Sequence, residues 1–146
     1  MRARALYKLK GYSDDWIERR MRSIAVREEL TDEWKKNEVR EAREYEILTA
    51  EIARATFDVF PSKHKKIKGL KRENLRDHMT DLELLFSTLG EAATKEISQT
   101  ENPKGFVKNK EVASRGGKIA GDARKNLEKE TNKKVVSGSN YLKRLL

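Results

Sequence analysis

Residues 114–126 read SRGGKIAGDARKN, and this stretch decides whether the chain is a nucleotide-binding fold or a helical one. Three glycines and a lysine stand close together in it, as they do in loops that hold phosphate. A Walker-type loop, however, needs Ser or Thr directly after its lysine, and Lys118 is followed by Ile119. A dinucleotide-binding turn needs a preceding β-strand, whereas the upstream residues KNKEVAS are helical in character.

Helical spacing accounts for the same residues. One stripe recurs every three or four positions and consists of Val112, Gly116, Ile119, Ala123 and Leu127. Beside it, at intervals of four, lie the small residues Ala113, Gly117 and Gly121. Each glycine costs a helix about 1 kcal/mol, so three indicate a close contact with another backbone, or a kink. We therefore expect a helix with a flat packing face; the alternative is a phosphate site at a broken helix end, with Arg115 and Lys118 as donors.

The composition narrows the function classes. The chain has 146 residues, 39% of them charged and 36% apolar, and it has no cysteine. Disulfides, thiolate chemistry and cysteine-ligated zinc are thereby excluded. No apolar run approaches the ~18 residues of a membrane span and no signal peptide is visible, so we expect a cytoplasmic protein that does not enter a membrane. The net charge of +9 favours anionic partners, nucleic acid first, although it can also serve solubility alone.

The remaining patterns predict an all-α fold of five or six amphipathic helices with little or no sheet. Start signals stand at Ser13, at Thr31 and at Thr80, where TDLE matches a capping box. The helix after Thr80 has an apolar stripe formed by Leu82, Leu85, Phe86, Leu89, Ala93 and Ile97. We expect two small lobes that meet near Pro61: an N-terminal helical lobe at residues 1–60 and a basic loop plus C-terminal helical lobe at residues 61–134. Residues 135–146 would be a tail, loose or docked on a partner.

Charge is concentrated in segments. Residues 61–76 hold seven bases and one acid, residues 104–134 ten bases and four acids, and residues 28–51 nine acids and four bases. Either the basic segments pack beside the acidic one and neutralise it, or they form an anion-binding face. The second interpretation makes the nucleic-acid-binding candidates Lys63, Lys65, Lys66, Lys68, Lys71 and Arg72, extended by Arg115 and Lys118. His64 would add a weak phosphate donor.

No catalytic, metal or cofactor site is predicted. His78 and Asp81 could share a helix face, but two ligands do not define a metal site. The clustered carboxylates of Glu28, Glu29, Asp32 and Glu33 flank a helix boundary, where a solvated face is the better interpretation. Trp16 and Trp34 are either core residues or exposed anchors, and Trp16 is kept as an interface candidate beside Ala113, Gly117 and Gly121.

Several segments follow one another in a familiar order: YSDDWIERRMRSIAVREELTDEW, ILTAEIARATF, KGLKRENLRDHMTDLELLF, LGEAATKEIS and SRGGKIAGDARKNLEKETNKKVVS. Together, over residues 4–141, they resemble the C-terminal region of BRO-family proteins of phages and bacteria. That family carries an N-terminal Bro-N domain and looks related to DNA damage-inducible protein D. The resemblance implies a regulatory role in DNA metabolism without a catalytic motif. Because the family's DNA binding is chiefly credited to the Bro-N domain, which this chain lacks, that activity need not belong here.

Two functions follow as expectations. The first is a non-enzymatic regulatory module that contacts nucleic-acid phosphates through the basic residues. The second is a protein-interaction or oligomerisation module, in which the helix with Gly117 and Gly121, or the face near Trp16, would meet a partner. That partner could be a recombinase filament, as the resemblance to DNA damage-inducible protein D suggests, a host factor or a second copy of the chain.

Overall fold

The computed structural model describes residues 2–140, and within this range the chain forms six α-helices and a 3-10 helix without any strand. The all-α prediction is confirmed. The helices are α1 (Arg2–Leu9), α2 (Asp14–Lys36), α3 (Ala42–Phe57), α4 (Pro61–Ile67), the 3-10 helix (Leu75–His78), α5 (Asp81–Glu101) and α6 (Phe106–Thr131). None of these helices is both long enough and apolar enough to cross a membrane.

The start signals at Ser13 and Thr80 act as predicted, but the one at Thr31 does not. Ser13 Oγ accepts a hydrogen bond from the Trp16 amide at 3.2 Å, and Thr80 and Glu83 form the reciprocal capping box. Thr31 instead lies inside α2, which continues to Lys36. Its neighbours Leu30 and Trp34 are buried on the inner face of that helix, so their packing outweighs the local start signal.

Two hydrophobic clusters form the core, and each draws residues from both sides of Pro61. The first contains Tyr12, Trp16, Ile17, Phe57, Met79, Leu84 and Val135, and the second Leu30, Trp34, Val39, Leu48, Ile52 and Ala113. Helix α3 packs mainly on α6, and α2 packs mainly on α5. The helices therefore do not separate into the two predicted lobes, because the α5–α6 pair supplies the apolar surface that α2 and α3 need.

Helix α6 is continuous, and its small residues meet α3 inside the chain. Ala113 is fully buried, and a Cβ placed on Gly117 would lie 2.6 Å from the carbonyl oxygen of Ile52. A Cβ on Gly121 would collide with the carbonyl oxygen of Ala55. Close approach of the α3 backbone thus explains both glycines, and the alternative of a broken helix end is wrong. This face is also occupied, so it is not available to a partner protein.

Helix α5 buries only part of the predicted apolar stripe. Leu82, Leu85 and Leu89 remain 44%, 50% and 39% exposed. The buried side consists of Glu83, Leu84, Ser87, Gly90, Glu91, Thr94 and Ser98. Gly90 explains the choice, because a Cβ there would lie 2.7 Å from Thr56 Oγ1, so small residues are needed where the helices cross. Of the predicted stripe, Phe86 packs against the first cluster and Ala93 and Ile97 are partly buried, so the prediction is wrong only for its three leucines.

Two further predictions change. Trp16 is fully buried, stacks on Tyr12 at 4.0 Å between ring centroids and donates from Nε1 to the Met79 carbonyl at 3.0 Å. It is a core residue and not an interface residue, because its ring fills the first cluster. Residues 135–140 are not a loose tail, since Val135 and Asn140 are buried against the helices. The remainder of the predicted tail, residues 141–146, lies outside the described residues.

Candidate nucleic-acid interface

The short helix α4 divides the basic stretch into a buried side and an exposed side. Pro61 stands at its first position, where its missing amide costs no hydrogen bond. His64 and Lys68 lie four residues apart and therefore on one face, which points inward; both are almost fully buried. His64 Nε2 lies 2.6 Å from one carboxylate oxygen of Glu83, and Lys68 Nζ lies 2.5 Å from the other.

Lys68 is consequently not a nucleic-acid contact, which corrects the sequence prediction. Besides Glu83, its ammonium group donates to the carbonyl oxygens of Ser137, at 3.2 Å, and of Ser139. His64 is enclosed in the same way, with its ring edge against Phe57 at a centroid distance of 5.1 Å. A residue that is paired with a buried carboxylate and shielded from water cannot reach a phosphate.

Glu83 holds this buried cluster together as an ionised group. Burial acts to raise the pKa of its carboxyl, but hydrogen bonds from His64, Lys68 and the Thr80 amide outweigh burial and leave the pKa below its ordinary value. The carboxylate therefore links α5 to α4 and, through Lys68, to residues 137–139. Because of these links, the buried cluster of Glu83, His64 and Lys68 fixes the position of α4 and of its exposed side.

The exposed side carries the basic patch, which we define as Lys63, Lys65, Lys66, Lys71 and Arg72. Four of its members are exposed and Lys65 is half-buried. Among the described residues none of the five has an ion-pair partner, in contrast to the buried Lys68. The adjacent acid, Glu73, forms no ion pair with them; its carboxylate accepts hydrogen bonds from the backbone amides of Lys71 and Arg72 at 2.9 and 3.0 Å.

The backbone hydrogen bonds to Glu73, that from Lys71 first, also lower the pKa of this carboxyl. The loop after Gly69 is thus ordered by an acid that faces the backbone, while the Lys71 and Arg72 side chains extend into solvent. Five cationic side chains on one short segment form a surface suited to phosphate groups.

Arg115 and Lys118 do not join the basic patch. Arg115 forms a two-pronged ion pair with Glu101, at 2.8 and 2.7 Å, and Lys118 pairs with Asp122 at 2.9 Å. Their helix, α6, packs on α3 and α5, whereas α4 packs on α3 and the 3-10 helix. The predicted extension of the patch is therefore not supported by the geometry.

The acidic segment 28–51 does not neutralise the basic patch either. Glu29 pairs with Lys95, Glu33 with Lys36, and Glu51 with Arg54. These partners lie on α2, α3 and α5, so no described acid of the segment reaches Lys63 or its neighbours. The interpretation in which the basic stretch balances the acidic one is therefore wrong for residues 63–72.

A second cluster of buried charge was missed from the sequence. Glu91 is buried on α5 and accepts from Arg27 Nη1 at 2.9 Å and from Arg76, whose Nη1 also reaches Ser23 Oγ at 2.7 Å. Asp77 accepts from Arg20 Nε at 3.0 Å and from the hydroxyl of Tyr7 at 2.8 Å. A usable signal was present, since Glu83 and Glu91 stand eight residues apart and so share one face of α5.

The residues weighed for metal or acid–base chemistry have structural partners. His78 Nδ1 lies 3.1 Å from Asn140 Oδ1, and Asp81 pairs with Arg19 at 3.2 Å. Within residues 2–140 no three His, Asp or Glu side chains gather as metal ligands would. Glu28, Glu29 and Asp32 are exposed, which agrees with a solvated face, but Glu33 is buried and contacts Gln99 and Lys36. All four lie inside α2 and not at a helix boundary.

No protein-family model matches the chain, and no curated protein matches it. The likeness to the BRO family therefore stays a prediction based on the sequence motifs. The fold and the charged surfaces are the independent ground on which a function can be proposed.

Proposed function

We propose that this chain is a non-enzymatic module that binds nucleic acid through the phosphate groups, using Lys63, Lys65, Lys66, Lys71 and Arg72. One observation carries the proposal: these five cations share one short segment and have no acidic partner among the described residues. Elsewhere on the surface, Arg4, Arg115 and Lys118 are paired with carboxylates, and exposed lysines that form no ion pair, such as Lys10, Lys108 and Lys129, are far apart in the sequence. Lysine and arginine that contact phosphate fix position without reading the base sequence.

The biological setting of this proposal comes from the sequence alone. The BRO-family resemblance supports a regulatory role in the DNA metabolism of phages or bacteria, and with it a cytoplasmic location. Under this proposal the chain needs no cofactor and catalyses no reaction. The buried cluster of Glu83, His64 and Lys68 would hold the basic patch in a fixed orientation toward the DNA.

The test is a titration of labelled duplex DNA at several salt concentrations, followed by anisotropy. If five phosphate contacts are made, the affinity should fall by roughly 500-fold between 50 and 200 mM salt. A triple variant, Lys63→Glu, Lys66→Glu and Lys71→Glu, should abolish binding. The matched control, Lys10→Glu, Lys108→Glu and Lys129→Glu, has the same net charge but alters exposed lysines outside the patch.

Equal loss of affinity in the two triple variants would mean that net charge, and not the patch, drives association. Absence of binding by the unaltered protein at 50 mM salt would refute the proposal directly. Circular dichroism on each variant checks whether the helices are retained, so that a loss of binding can be distinguished from a loss of fold.

A second candidate, a protein-interaction module, is favoured by the outward face of α5. Leu82, Leu85 and Leu89 lie on one exposed stripe, and Ile119 of α6 is 48% exposed as well. Apolar surface of this kind is typical of sites that another protein covers. Partners in this case would be a recombinase, a host factor or a second copy.

The second candidate is tested by the mass of the protein in solution and by the variant Leu85→Glu. Self-association that is lost in Leu85→Glu and kept in Val107→Glu, a control at an exposed valine of α6, would favour it. A monomer at all concentrations would remove the second copy from the possible partners.

A further inference from the structure

A cavity lies where α2, α3, the start of α4 and the 3-10 helix meet. Helices α2 and α3 both pack against α5, and few contacts join them to each other. The cavity has a volume of about 450 Å³ and is lined by side chains that include Arg20, Arg27 and Arg76. An adjoining groove of about 610 Å³ shares Arg27, Thr49 and Pro61 with it. Both volumes lie in the range of sites for small molecules.

Guanidinium groups are concentrated at the cavity. Three of them face the carboxylates of Glu91, which serves both Arg27 and Arg76, of Asp77, which serves Arg20, and of Glu28, an exposed acid that also lines the cavity. Burial, and then the neighbouring Arg76 and Arg20, lower the pKa of Arg27, although Glu91 acts to raise it. A bound anion beside Arg27 would reduce the repulsion that Arg76 and Arg20 exert on it.

Donor atoms remain available for such an anion. Arg27 uses only Nη1 for Glu91 and so keeps nitrogen atoms without a partner in residues 2–140, whereas Arg20 uses Nε for Asp77 and also contacts the Tyr7 hydroxyl. Solvent reaches these nitrogen atoms, because they are not buried without a hydrogen bond. Arg19 Nε, by contrast, is buried and has no hydrogen-bond partner within the described chain. Planar guanidinium groups match the geometry of phosphate oxygens.

The adjoining groove offers a different chemistry. Its walls include Trp34, Tyr45 and Phe60, with the first two rings 5.9 Å apart between centroids and Phe60 51% exposed. Trp34 is 1% exposed, and its indole Nε1 has no hydrogen-bond partner within the described chain. A planar ring that carries hydrogen-bond acceptors would fit between such walls.

We propose that the cavity and groove together bind a small ligand of the nucleoside-phosphate class. The phosphate would lie against Arg20 and Arg27, and the base would lie against Tyr45 and Phe60. Arg27 stands where the two spaces join, so one ligand can use both. This site adjoins the basic patch, because Pro61 and Ser62 line the groove and directly precede Lys63, but the proposal does not depend on the proposed nucleic-acid binding.

The experiment is isothermal titration of the whole chain with adenosine 5′-monophosphate, with adenosine and with inorganic phosphate, joined to tryptophan fluorescence. We expect the monophosphate to bind more tightly than either part and to change the emission of Trp34. The variant Arg27→Gln should weaken monophosphate binding about 10- to 100-fold. Phe60→Ala, at an exposed side chain, should weaken the monophosphate but not phosphate.

One control separates this site from other effects. Arg22→Gln, also on α2 but outside the cavity lining, should leave binding unchanged. No binding at millimolar monophosphate, or equal losses in Arg22→Gln and Arg27→Gln, would overturn the proposal. Equal affinity for phosphate and monophosphate would overturn the assigned ligand class.

If Arg27→Gln fails to fold, Phe60→Ala decides alone. An unchanged ratio of monophosphate to phosphate affinity in that variant would show that no base occupies the groove.

Discussion

The two sides of helix α4 use the same residue types for opposite purposes. On the inner side, Lys68 and His64 surround the buried carboxylate of Glu83. On the outer side, Lys63 and Lys66 face solvent with no described acid beside them. A lysine-rich sequence therefore does not identify a binding surface by itself. What decides the role of each lysine is whether the helix turns it toward an acid or toward water.

The largest effect should come from Glu83→Ala, which removes the centre of the inner side. Lys68 would remain buried without its carboxylate, and we expect a loss of about 3–5 kcal/mol in the free energy of unfolding. Urea denaturation measures it. A loss under 1 kcal/mol would contradict the structural role given to the inner side of α4.

A double variant sharpens the same point. Glu83→Leu with Lys68→Met replaces the buried ion pair by apolar side chains of similar size, and such replacements are often neutral. We expect the double variant to be more stable than Glu83→Ala in the same urea experiment. If the double variant is less stable than Glu83→Ala, the attraction between the buried charges stabilises the protein by more than the cost of burying them.

The next effect concerns α6, where inner and outer sides also differ. Gly117→Leu should destabilise the protein by about 1–3 kcal/mol, because its side chain would press on the α3 backbone at Ile52. Ile119→Ala, on the half-exposed side of the same helix, should change stability much less. Thermal unfolding of both variants gives the comparison, and similar losses would contradict the packing described for α6.

The pH dependence of stability gives a smaller effect. Because the folded pKa of Glu83 lies below its ordinary value, its contribution is complete above the unfolded pKa, near 4.5, and is lost as the pH falls through the folded pKa. Urea unfolding at pH 7, 5, 4 and 3 should show a steeper acid loss in the unaltered protein than in Glu83→Gln. Parallel curves would mean that Glu83 is not ionised in the fold.

The sequence predicted some of these features and not others, for physical reasons. The helix through Gly117 and Gly121 was predictable, because the small residues recur every four positions and because glycine lowers helix stability unless close packing requires it. The faces of α5 were not, because the buried side carries Glu83 and Glu91, whose partners Lys68, Arg27 and Arg76 are distant in sequence. The sequence predicted the basic segment as a whole. Which of its residues are buried and which are exposed depends on the position of Glu83 in the fold.

The smallest effect on stability should come from the outer side of α4. Lys63→Glu, Lys66→Glu and Lys71→Glu are exposed substitutions, and each should change the free energy of unfolding by no more than about 0.5 kcal/mol. Their effect should appear instead in binding. Denaturation of the triple variant checks this expectation, and a loss as large as that of Glu83→Ala would show that the patch is structural.

The most direct test is the slope of DNA affinity against salt concentration for the unaltered protein and for single charge removals. With Lys63→Gln or Lys66→Gln, the logarithmic slope should decrease by about 0.9 for duplex DNA. Lys108→Gln, outside the patch, should leave the slope unchanged. If the three variants share the slope of the unaltered protein, the basic patch does not contact phosphate and the proposed function is wrong.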